Sequence, residues 1–93
     1  MNVLLVKPYS DFPTRIPHLG LGYLAAALRR RGHAVRIADC PRERLGEREL
    51  LALAAGWAPR LVGLSAFTAD IPVLRGLCRA LRAALPEATL VLG

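Results

Sequence analysis

The stretch from His18 to Asp39, HLGLGYLAAALRRRGHAVRIAD, constrains the fold more than any other part of the chain. Leu21, Leu24, Ala25 and Leu28 recur at the three- and four-residue spacing of one helical face, and Arg29, Arg30 and Arg31 crowd the last turn, where cations suit the helix dipole. Gly32 supplies a left-handed stop. Val35, Ile37 and their neighbours form a short apolar run closed by Asp39, which reads as a buried strand, and Asn2 to Lys7 is another such run upstream. Strand, helix, strand in that order is a βαβ unit, which makes the two strands parallel and the crossover right-handed.

The remainder repeats the unit. The first strand ends at Pro8, which cannot continue a central ladder. The connection to the helix, PYSDFPTRIPH, runs to eleven residues with three prolines and two aromatics. That exceeds the usual two to six, and long loops at the carboxyl ends of parallel strands are where ligands sit. After Asp39 a polar connector leads to a second helix at Glu47 to Trp57, with Leu50, Leu53, Ala54 and Trp57 on one face and Glu47 and Glu49 in its first turn. Trp57 reads as a core or edge anchor, with a stacking role toward a ligand as the alternative. Arg60 to Leu64 is the third strand, leaving through Ser65, Ala66, Phe67 and Thr68. A third helix is expected from Ile71 to Leu85, capped by Thr68 or Asp70, with Leu74, Leu77, Cys78, Leu81 and Leu85 as its buried stripe. Thr89 to Leu92 is a fourth strand before Gly93.

The expected pattern is a doubly wound α/β sheet within one domain over residues 1–93. The fourth strand is apolar on both faces, as in a strand with helices above and below, yet no helix follows it. The expectation is a domain incomplete at its C-terminus, marginally stable or sticky when made alone.

Several chemistries are argued against by pattern. The net charge of +6 comes from thirteen basic residues, twelve of them Arg, against seven acidic ones. Arg29 to Arg31, Arg75, Arg79 and Arg82 fall on the solvent sides of two helices with little aromatic interleaving, so nucleic acid is not an expected partner. Cys40 and Cys78 lack metal-ligand spacing and read as small reduced side chains, which with the absence of a signal-peptide core points to the cytoplasm and to no membrane partner. Gly20-Leu-Gly22-Tyr-Leu-Ala25 followed by Asp39 has the outline of a dinucleotide fingerprint, but in that fingerprint the first glycine follows the strand directly, and here the Pro-rich loop intervenes. Gly20 and Gly22 are then expected to let the first helical turn pack closely on the sheet or on a ligand. No nucleophile, base and carboxylate form a recognisable catalytic set. His33 reads as a surface turn residue and His18 as a helix-entry residue with a ligand role as the alternative.

Taken together, HLGLGYLAAALRRRGHAVRIADC, the preceding strand and Pro-rich loop, the exit VGLSAFT and the terminal LVLG resemble the N-terminal cobalamin (B12)-binding domain of B12-dependent radical SAM enzymes, over essentially all 93 residues. The resemblance implies a flavodoxin-like (Rossmann-like) sheet with the second strand beside the first, then the third and fourth, and a corrinoid held at its carboxyl edge. It places Pro8, Tyr9, Ser10, Leu19, Gly20, Ser65, Ala66, Phe67, Thr68 and Gly93 at the cofactor. Ser65-Ala66-Phe67 stands where such proteins carry a Ser-x-Leu against the nucleotide tail, and Gly93 where a Gly-Gly pair lets the backbone approach it.

Ile16-Pro-His18-Leu-Gly20-Leu21 departs from the D-x-H-x-x-G of proteins that ligate cobalt through histidine, so base-off cobalamin without a protein ligand is expected. The C-x-x-x-C-x-x-C that would bind a [4Fe-4S] cluster and S-adenosylmethionine is not in these residues. The resemblance therefore implies a binding module with no catalytic residue of its own, partnered by a C-terminal radical SAM domain, in a parent enzyme that could be a methyltransferase. The alternative is the N-terminal half of a nucleotide-sugar glycosyltransferase of the two-domain GT-B type, whose usual Gly-Gly pair in the first loop is missing here.

Overall fold

The computed structural model describes residues 1–9, 19–65 and 71–93. Its elements are β1 (Asn2–Lys7), α1 (Leu19–Arg30), β2 (Ala34–Asp39), α2 (Cys40–Glu43), α3 (Glu47–Trp57), β3 (Leu61–Leu64), α4 (Ile71–Ala84) and β4 (Thr89–Leu92). The strands form one parallel sheet in the order β2-β1-β3-β4, the expected flavodoxin-like arrangement. Thr68 and Asp70, the expected caps of α4, lie outside the described residues, as does His18.

The middle of the sheet falls to β1 because its side chains suit burial on both faces. Val3, Leu4, Leu5 and Val6 are at most 1% exposed. Alternation divides them between two cores. Leu4 and Val6 join Val62 and Leu64 beneath α3 and α4, which contribute Leu50, Ala54, Leu74, Leu77 and Leu81. Val3 and Leu5 join Val35 beneath α1, which contributes Leu21 and Ala25. Two helices thus cover one face and a single helix the other. On the α1 face, Val91 of β4 is 46% exposed, so among the described residues that face of β4 is left uncovered.

The polar groups at the amino ends of the strands are tied down closely. Trp57 Nε1 donates to the carbonyl of Val3 at 3.1 Å, and the Asn2 amide donates to the carbonyl of Trp57 at 2.8 Å. Arg82 reaches past the end of α4 to the carbonyls of Leu85, Pro86 and Ala88 at 3.5, 3.1 and 2.7 Å. Arg29 donates to the carbonyl of Val35 at 2.9 Å. Two of the arginines expected merely to face solvent therefore satisfy backbone acceptors that a helix end or a strand leaves over. Trp57 is the anchor its position suggested. His33 follows the Gly32 turn, partly exposed as expected, with Nδ1 at 3.3 Å from the N-terminal amine.

Gly32 stops α1 with φ +90°, as expected. The polar connector after β2 contains a helical turn that periodicity could not show. The Asp39 carboxylate accepts from the Arg42 amide at 3.4 Å, Glu43 accepts from the Asp39 amide at 2.7 Å, and Glu43 pairs with Arg36 at 2.9 Å. Leu24 departs from its expected place in the core: it is 47% exposed because the sheet lies under Leu21 and Ala25. At Gly22 a Cβ would meet nothing within 4 Å, so of its two expected uses close packing on the sheet is not the one found. Its lack of a side chain is not used for close packing on any described residue.

These positions predict a sharp contrast in urea unfolding. Leu81→Ala, at a fully buried site, should cost about 2–5 kcal/mol, whereas Leu24→Ala should stay within about 0.5 kcal/mol of the parent. Equal losses would contradict the assignment of the two faces.

Candidate functional site

The parallel register lays out the site. Leu5 is level with Gly63 and Gly63 with Val91, so these three form one row across β1, β3 and β4 on the α1 face. Ser65 and Gly93 follow one step beyond the strand ends. The Ser65 amide donates to Val6 at 2.9 Å and the Gly93 amide to Leu64 at 3.0 Å, which holds both exits in line with the sheet. Above the row stands the first part of α1, with Gly20, Leu21 and Leu24. Between them is a cleft of about 250 Å³.

The middle of the row is low because Gly63 has no side chain. A Cβ there would come to 3.0 Å from Leu5 Cδ2. A glycine inside a strand weakens it and commonly marks a place where another group approaches closely. Here it opens the floor of the cleft, and the exposed Leu24 overhangs that floor.

Polarity is concentrated in one atom. The cleft lining is aliphatic apart from Ser65, which is 6% exposed, and its Oγ is buried without a hydrogen-bond partner among the described residues. A buried hydroxyl left unpaired costs stability, and a folded chain retains one most readily where a ligand satisfies it. No side chain among the described lining residues is titratable. Among the described residues no three His, Cys, Asp or Glu side chains gather as a metal site.

Of the residues expected at a cofactor, Gly20, Ser65 and Gly93 meet in this cleft. Leu19 opens α1. Pro8 is buried at the end of β1. Tyr9 is half exposed and lines a different cavity of about 300 Å³ on the α3–α4 face, with Cys40, Leu50, Val73 and Leu77. Ser10, Ala66, Phe67 and Thr68 lie outside the described residues. Gly63, Leu5, Leu24 and Val91 were not singled out from sequence. The available signal was Gly63 itself, a lone glycine inside an otherwise apolar strand.

Cys40 lines the second cavity with its thiol buried. Burial, reinforced by the charges of Glu43 and Asp39, pushes its thiol up to about 11. At neutral pH it is protonated and a poor nucleophile or metal ligand.

Two outcomes test this geometry. Ser65→Ala should raise the stability of the ligand-free chain by roughly 1 kcal/mol, because it deletes an unpaired buried hydroxyl. A loss of similar size in thermal or urea melts would mean that the hydroxyl is already satisfied. Iodoacetamide at pH 8 should label Cys40 about a hundredfold more slowly in the folded chain than in urea, from the thiolate fraction alone, as read by peptide mass spectrometry. Equal rates would contradict its burial.

Comparison with known proteins bears on what fills the cleft. No curated protein and no solved structure matches the chain significantly. A family model described as the B12 binding domain matches residues 6–93, from the end of β1 through Gly93. The sheet order, the cleft at the carboxyl edge and this match agree, and the chain belongs to the B12-binding domain family.

Proposed function

We propose that the chain holds cobalamin base-off across the carboxyl edge of its sheet, with the nucleotide tail in the cleft between α1 and the β3–β4 half. The observation that carries this reading is the orphaned Ser65 hydroxyl in an otherwise aliphatic cleft. A flat heteroaromatic base suits such a place, since its faces want apolar contact and its edge wants one hydrogen bond. Leu5, Leu21 and Val91 would contact the base, Ser65 would donate to it, and Gly93 would leave the backbone open to approach. The domain's own residues bind and orient. Cobalamin held there would supply methyl-group or radical chemistry.

The wider setting is the second part of the proposal. The sequence resemblance supports a module of a B12-dependent radical SAM protein, whose [4Fe-4S] cluster and S-adenosylmethionine would sit in a domain outside these residues. A cytoplasmic location suits that chemistry. No helix among the described residues is long and apolar enough to cross a membrane.

Purified chain mixed with hydroxocobalamin and desalted should retain one corrinoid per chain by its visible spectrum. Ser65→Ala should weaken retention roughly tenfold, the size expected for one buried hydrogen bond. The Co(II) form should give an electron paramagnetic resonance spectrum without nitrogen hyperfine splitting from the protein, unchanged in His18→Ala. Failure to retain any corrinoid sinks the binding reading. A splitting lost in His18→Ala sinks the absence of a protein ligand.

A further inference from the structure

We infer that the cleft selects its corrinoid by the lower base, accepting a benzimidazole and rejecting a purine, with Gly63 setting the depth available. This rests on the tail lying in the cleft as proposed above, and deepens it by naming the ligand class.

The argument is one of matching polar groups. Among the described residues the lining offers one side-chain polar atom, Ser65 Oγ, amid aliphatic side chains and glycines. A benzimidazole released from cobalt presents one ring nitrogen acceptor, and the rest of its edge is hydrocarbon. One donor meets one acceptor. A purine such as adenine brings an exocyclic amine and further ring nitrogens into the same aliphatic surroundings, where each would lose water without gaining a partner among the described side chains. A site whose polar groups are few and placed discriminates strongly against a ligand that leaves buried groups unpaired.

Depth is the second element. Leu5, Gly63 and Val91 are level across the sheet, and only Gly63 contributes no side chain to that row. An added Cβ would press on Leu5 Cδ2 at 3.0 Å and raise the floor under the base. The position would then admit a tail-less corrinoid at the edge of the sheet but not a complete one at full depth.

Equilibrium dialysis of the full chain against three corrinoids decides the matter. The probes are hydroxocobalamin with its dimethylbenzimidazole, the corresponding cobamide carrying adenine, and cobinamide, which lacks the tail. The expected order is cobalamin tightest, with the adenine cobamide weaker by roughly tenfold or more, as one or more unpaired buried groups dictate. Gly63→Ala, checked for folding by circular dichroism, should weaken cobalamin binding and leave cobinamide binding unchanged. Two complete cobamides binding equally, and both more tightly than cobinamide, would overturn the selectivity while leaving the tail in the cleft. Cobinamide binding as tightly as cobalamin would overturn the tail placement itself. Unchanged cobalamin affinity in a folded Gly63→Ala chain would overturn the role of Gly63, and the three-ligand comparison on the native chain stands even if that variant does not fold.

Discussion

The burial of β1 on both faces is the constraint on which the molecule depends. A strand that is hydrocarbon on both sides must pair laterally with two neighbours and be covered above and below, and β2 and β3 with α1, α3 and α4 meet that demand. Parallel pairing sets all four carboxyl ends along one edge. Every connection from a strand into a helix leaves from that edge, so it is where loops diverge and a ligand can enter. The position of the cleft follows from the hydrophobicity of four consecutive residues, Val3 to Val6.

Coverage is uneven, and the unevenness creates the site. Two helices, α3 and α4, pack on the face formed by Leu4, Val6, Val62 and Leu64, whereas among the described helices α1 alone packs over β1 and β2 on the other. On that face Gly63 adds no side chain between the level residues Leu5 and Val91. Among the described residues the Ser65 hydroxyl at the strand exit is unpartnered and is the one polar side-chain group of this hollow.

Much of the frame was legible in the residues. Asn2 to Lys7, Glu47 to Trp57 and Thr89 to Leu92 have the expected bounds, and Gly32 terminates α1 in the left-handed region, because pattern and punctuation act locally at these places. The misplaced residues are those whose environment is decided from across the sheet. Leu24 fits the periodicity of the buried face yet overhangs the cleft, since one helix over a twisted sheet presses only part of its apolar arc against it. The turn at Cys40–Glu43 is stabilised by side chains bonding to backbone, which hydrophobic spacing does not register. Gly63 acquires meaning only once the register sets it beside Leu5 and Val91.

The directional bonds of Trp57, Asn2, Arg29 and Arg82 gather away from the cleft, toward the edge where strands begin or helices end. These four residues thus fasten the domain at the amino ends of its strands. Trp57 is the sole tryptophan of the chain, and its ring is bonded at the start of β1, a strand's length from the opening. Its intrinsic fluorescence therefore serves as a gauge of whether the scaffold is intact, with little direct sensitivity to local rearrangement at the mouth.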